Sequence, residues 1–159
     1  MKPLVIILMG SKADVEHCRK IAEVCSGSFG LQTVLRIGSA HKTAEHVLRI
    51  LQQYESDPRP KVYITVAGRS NALSGFTDGA VVSPVIACPP AAEAFGGADI
   101  YSSMRMPSGI APALVLEPAN AALLAAKILG LVDADVAKAV STYQKSAAEK
   151  ILQDDQTLQ

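Results

Sequence analysis

Leu4-Val5-Ile6-Ile7-Leu8-Met9-Gly10-Ser11 is a run of six apolar residues stopped by a glycine and a serine. Six residues is strand length, and a strand apolar on both faces needs cover on both sides, as strands of parallel sheets have. Ala13 to Cys25 then shows helical spacing, with Val15, Cys18, Ile21, Ala22 and Cys25 on one face; Gly27 and Gly30 are read as its close.

Outward from this unit the alternation repeats. Leu31 to Ile37 reads as a second strand, and Thr43 as the N-cap of a helix to about Tyr54, with Val47, Ile50, Leu51 and Tyr54 inward. Val62 to Ala67 is a third strand, followed by a short helix around Leu73 to Val81 and a fourth strand at Val85 to Cys88. Pro89 to Pro112 is rich in Pro, Gly and Ser and carries no clear period. Ala113 to Glu117 is a fifth strand, and Pro118 opens a helix that Gly130 ends. Asp133 or Asp135 caps a last amphipathic helix facing inward through Val136, Val140, Tyr143, Ala147 and Ile151. Unbroken apolar strands alternating with helices predict an α/β chain: a single flavodoxin-like, three-layer domain over residues 1–159, with a parallel sheet and a C-terminal helix.

Composition narrows the function. The 15 Lys+Arg balance the 15 Asp+Glu, so no excess positive field exists for nucleic acid or an anionic membrane. Four Tyr, three Phe and no Trp leave no stacking platform for single strands. Alanine is abundant, at 24 residues, which implies closely packed elements. Three cysteines form no disulfide framework, and Cys18 and Cys25 lie about 10 Å apart on their helix, too far to bridge. The pattern fits a reducing cytosol, so a cytoplasmic location is expected. The N-terminal apolar run superficially suggests a signal peptide, but Lys12 and Asp14 stand where a cleavage site would lie.

In a parallel sheet every strand-to-helix junction lies at the carboxyl edge, where ligands bind. Three junctions carry unusual polar content: Gly10-Ser11-Lys12-Ala13-Asp14, Gly38-Ser39-Ala40-His41-Lys42 and Gly68-Arg69-Ser70-Asn71. Each offers a glycine for close backbone approach, a hydroxyl and a helix N-terminus, a combination suited to phosphate. Lys42 supplies a point charge. Asp14 either accepts from ribose hydroxyls or stabilises its helix's first turn. His41, whose side chain type titrates at about 6.5, is either a proton-transfer residue or a turn residue. His17 and His46 are read as helix-surface residues. The spacing fits neither dinucleotide nor ATP phosphate-loop patterns. His41, Glu45 and His46 miss the inverted zincin spacing by one residue, so no metal site is expected.

On these residues the chain resembles the phosphoribosylaminoimidazole (AIR) carboxylase family. The resemblance rests on Met9-Gly10-Ser11 with Asp14, Ser39-Ala40-His41-Lys42, Ala67-Gly68-Arg69-Ser70-Asn71 and Met106-Pro107-Ser108-Gly109 in that order. It spans roughly residues 3 to 155. Lys42, a third loop without a second histidine, and Cys88-Pro89-Pro90 resemble class II, in a free-standing bacterial form. The resemblance implies carboxylation of AIR with CO2 in purine biosynthesis, without ATP, biotin or metal, by a homo-octamer. It further implies that Ser11, Ser39 and Lys42 hold phosphate, Asp14 the ribose, and Gly68 and Ser70 the base and CO2 end, with His41 moving the proton. Arg69 is either a carboxylate stabiliser or an interface residue, and Asn71 a weaker candidate for the former role. One position departs: Ala13 stands where the family usually has a hydroxyl. Rival readings are a class I mutase acting on N5-carboxy-AIR and a non-catalytic phosphoribosyl-binding protein; chemistry at a nucleophilic Cys88 is disfavoured by its neighbouring prolines and expected burial.

Overall fold

The computed structural model describes residues 1–90 and 96–158. Five parallel strands form one sheet: β1 (Leu4–Met9), β2 (Gln32–Ile37), β3 (Lys61–Val66), β4 (Val85–Ala87) and β5 (Ala113–Leu114). Their order is β2-β1-β3-β4-β5. The chain winds one way from β1 to β2 and the other way from β3 on. A switch point therefore lies between β1 and β3, where adjacent loops diverge and leave a crevice.

The all-apolar reading of β1 has its physical reason here. Val5, Ile7 and Met9 pack into one core with Cys18, Ile21 and Cys25 of α1 (Val15–Phe29), Ala121 and Ala125 of α5 (Pro118–Leu129), and Val136 and Val140 of α6 (Ala134–Gln156). Leu4, Ile6 and Leu8 point the other way, against Val47, Ile50 and Leu51 of α2 (Ala44–Glu55) and Leu73 of α3 (Ala72–Asp78). Alternation along one strand thus feeds two helical layers. A further short helix, α4 (Tyr101–Met104), falls within the stretch that carried no clear period. Part of that stretch, 91–95, lies outside the described residues.

Several boundaries differ from the sequence reading. Gly27 does not end α1; a Cβ there would meet nothing within 4 Å, so it sits on an open helix face. The helix continues until Phe29, whose ring lies 5.1 Å from that of Tyr143, and Gly30 at φ 64 supplies the left-handed stop. The last strand is shorter than predicted. Val115 still donates to Ala87 O at 2.9 Å, but Leu116 and Glu117 are exposed and leave the sheet before Pro118. Asp133 is the cap of α6, accepting from Asp135 N and Val136 N. Only Val136 and Val140 of that helix's predicted face are buried, and Tyr143 is half-buried. Ala147 and Ile151 are exposed, because α6 outruns the body it packs on.

The inward face of α5 is covered within the chain. The sheet, α1 and α6 cover Ala121, Ala122, Ala125, Ala126 and Leu129 within the chain, and the small side chains allow the close approach. No helix among the described residues is long and apolar enough to cross a membrane.

Candidate active site

The first loop is closed by its own atoms. Ser11 Oγ accepts from Ala13 N at 3.2 Å and donates to Asp14 Oδ2 at 3.1 Å. This caps a 3-10 turn over Lys12–Asp14. Asp14 N in turn donates to Ser11 O at 3.2 Å.

The second loop is built the same way. Thr43 stands at the N-cap position of α2 but makes no side-chain cap bond to its helix. Instead Thr43 Oγ1 accepts from Ser39 N at 2.9 Å, Thr43 N donates to Ser39 O at 2.8 Å, and Ser39 Oγ accepts from Lys42 N at 3.3 Å. The turn presents His41 and Lys42 to solvent. Gly38 serves packing rather than ligand approach: a Cβ there would come within 2.7 Å of Val47 Cγ2, so α2 could not lie so close to the strand end.

The third loop is held from outside. Arg69, at φ 60, is the only non-glycine residue with positive φ among the described residues. Its N–H donates to Asp99 Oδ2 at 3.1 Å. Asn71 N donates to Ser102 Oγ at 2.9 Å, and Asn71 Nδ2 to Ser103 Oγ at 2.8 Å. Asn71 Oδ1 accepts from Ser74 N, capping α3. Buried, with Oδ1 and one Nδ2 hydrogen engaged inside the protein, Asn71 serves the structure of the loop.

These loops meet around a cleft of about 550 Å³. Ser11, Asp14, Ser39, His41, Lys42, Gly68, Arg69 and Ser70 all line it, together with Ala40, Ala67 and Leu73. The cleft sits at the carboxyl ends of β1 and β3, the switch point of the sheet, with the β2 loop on one side. Lys42 and Arg69 bring positive charge, Asp14 a carboxylate, and His41 an imidazole. Among the described residues Arg69 forms no ion pair, so its guanidinium is available to the cleft. The arrangement suits a small anion with hydroxyls and a reacting centre that exchanges a proton. Among the described residues no group of three or more His, Cys, Asp and Glu is placed to hold a metal ion.

A family model described as AIR carboxylase matches residues 4–150. The chain belongs to the AIR carboxylase family. It is 61% identical over 158 residues to the phosphoribosylaminoimidazole carboxylase of Treponema denticola, covering 99% of both chains. It is 52% identical over 153 residues to the protein of that name from Archaeoglobus fulgidus, covering 96% of this chain and 83% of that one. A bifunctional phosphoribosylaminoimidazole carboxylase/phosphoribosylaminoimidazole succinocarboxamide synthetase of Mus musculus is 46% identical over 127 residues, which are 80% of this chain and 30% of that protein. The crystal structure of Treponema denticola PurE superposes with a TM-score of 0.97 at 61% identity, covering 99% of each chain.

In this AIR carboxylase family member, one expectation needs correction. His17 is not a plain surface residue. It is half-buried, with Nε2 3.4 Å from Cys88 Sγ, and burial holds its pKa below the usual histidine value against the opposing pull of Cys88. Burial, with Glu117 nearby, pushes the Cys88 thiol up to about 12, so it stays protonated and is no nucleophile at neutral pH. The residues that sequence reasoning missed are Asp99, Ser102 and Ser103. The pattern Asp99-x-x-Ser102-Ser103 was a weak signal, since nothing in the sequence brings it beside residue 69.

Proposed function

We propose that this protein is a class II AIR carboxylase, joining CO2 to C4 of 5-aminoimidazole ribonucleotide in de novo purine biosynthesis without ATP, biotin or a metal. The observation that carries the reading is the convergence of His41, Lys42, Ser39, Ser11 and Asp14 on one cleft in a chain of this family. Lys42 in place of arginine, and a third loop reading Gly68-Arg69-Ser70-Asn71 without histidine, favour the CO2-using class over the mutase.

The aminoimidazole ring is enamine-like, so its C4 electron pair attacks the carbon of CO2. A C–C bond forms, and one C–O π pair moves onto oxygen as carboxylate. C4 then carries both the carboxylate and its original hydrogen. Removal of that proton by His41 returns the C–H pair to the ring and restores aromaticity; the reverse reaction uses His41 as acid. Lys42, with Ser11 and Ser39, anchors the phosphate, and Asp14 the ribose. Ser11 and Ser39 hydroxyls already order their own loops, so their contribution combines loop shape with direct contact. Gly68 and Ser70 line the base end, and Arg69 stabilises the developing carboxylate. CO2 offers little to grip, so the enzyme's main task is to hold it against C4 and exclude water. The family resemblance implies a homo-octamer, and the exposed Ile151 and Leu152 of α6, at 67% and 64%, leave apolar surface for a neighbouring subunit. A monomer in light scattering at micromolar concentration overturns that part.

The test is an absorbance assay of AIR plus bicarbonate with and without ATP, beside N5-carboxy-AIR in CO2-free buffer. ATP-independent carboxylation of AIR is expected. Turnover of N5-carboxy-AIR alone means a class I mutase, and AIR binding without turnover means a binding protein.

A further inference from the structure

We propose that Asp99 is a positioning residue for the third loop: its carboxylate holds Arg69 in the left-handed conformation and so presets the cleft wall formed by Gly68, Arg69 and Ser70. The proposal rests on the function proposed above for its kinetic readout, but its geometry stands independently.

A residue with a Cβ is strained at φ 60, because Cβ crowds the following carbonyl, and such strain persists only where surrounding contacts fix it. Here the contacts are identifiable. Asp99 Oδ2 accepts from Arg69 N at 3.1 Å, a charge-assisted bond. Ser102 Oγ lies 3.3 Å from Arg69 O and 2.8 Å from Asp99 O as donor, and accepts from Asn71 N at 2.9 Å. Arg69 N and Asn71 N are thus tied to one short segment some thirty positions later, and Arg69 O shares the single Ser102 hydroxyl hydrogen with Asp99 O. That segment is itself shaped by Gly97 at φ 79 and the 3-10 turn Ala98–Ile100. No hydrogen bond from within the loop replaces the Asp99 contact to Arg69 N, so without it the loop is free to relax. Arg69 and Ser70 both line the cleft, so relaxation moves the groups that face the substrate.

A loop that spends part of its time relaxed weakens apparent affinity by the fraction still competent, while saturating substrate restores the competent state. The signature is therefore a raised KM with a preserved kcat. A merely structural tie would instead lower thermal stability or the active fraction, and leave KM alone.

The test compares the wild-type full chain with Asp99→Ala, Asp99→Asn and Ser102→Ala. Asp99→Ala is expected to raise KM for AIR about tenfold with kcat within about threefold of wild type. Asp99→Asn is expected to stay within about threefold in KM, because its amide oxygen accepts the same bond. Ser102→Ala is expected to raise KM in the same direction, and it decides the matter if Asp99→Ala does not fold. An unchanged KM in the folded variants, or a loss confined to kcat, overturns the proposal; so does an Asn variant as impaired as Ala. Hydrogen exchange in the peptide spanning 66–73 provides a readout apart from activity: it is expected to speed about tenfold in Asp99→Ala at residue 69. If wild type does not carboxylate AIR, the proposed function fails, and this exchange alone decides the clamp, with unchanged protection overturning it.

Discussion

The first two loops and the third line the same cleft by opposite means. Ser11 with Asp14, and Ser39 with Thr43, close their loops through partners two to four residues away. The Arg69 loop takes its shape from Asp99, Ser102 and Ser103, about thirty residues along the chain. Self-closed loops carry their geometry in local sequence and tolerate change elsewhere. A loop held from outside depends on the correct docking of another segment, and transmits any disturbance of that segment to the substrate.

If the second loop is self-contained, its exposed side chains can be changed without cost to the fold. His41→Asn is expected to lower CO2-dependent carboxylation by about 10²- to 10⁴-fold while circular dichroism and melting stay at wild-type values. Near-normal activity would remove His41 from proton transfer. Asn71→Ala attacks the externally held loop, where one amide caps α3 and also reaches Ser103. A loss of about 2–3 kcal/mol in urea unfolding is expected. A loss no greater than at the first loop would erase the contrast between the two regions.

Lys42→Ala should raise KM for AIR by about tenfold with little change in stability, as removal of an exposed charge from a bound phosphate would. An unchanged KM would argue that Lys42 does not touch phosphate. Ser11→Ala removes a local cap on an exposed turn, so its stability cost is expected to be at most about 1 kcal/mol in the same urea titration. A larger cost would mean that the first loop is less independent than its hydrogen bonds imply.

The smallest effect concerns a long-range side-chain contact near the first loop, between His17 and Cys88. Burial lowers the folded pKa of His17 below its unfolded value. The folded state then binds fewer protons than the unfolded state between those two values, so the stability present above about pH 6.5 is lost as pH falls through the folded pKa. Melting temperature should fall on acidification from about pH 7.5 to about 5.5, and His17→Gln should flatten that slope. An identical slope in the variant would show that other groups carry the acid sensitivity.

The same contrast governs what was legible beforehand. β1, the helical face of α1 and the Pro118–Leu129 helix follow from hydrophobic period and end signals, which act over a few residues. The three polar junctions were also visible, because a parallel sheet sends every such junction to one edge. The roles of single residues were less so. Gly38 reads as room for a ligand but makes room for Val47; Thr43 reads as a cap but grips Ser39; Asn71 reads as a substrate contact but is buried in a hydrogen-bonded corner. Each depends on what lies opposite in space.

By itself, then, the sequence determined the alternating strands and helices, the sheet's parallel character, and the set of polar residues gathered at its carboxyl edge. These follow from the local period of apolar side chains and from chain connectivity. Tertiary structure alone decided the left-handed turn at Arg69, the raised proton affinity of the Cys88 thiol and the partial burial of His17. Backbone strain and proton affinity answer to the groups packed around a residue, and those groups are distant in the chain.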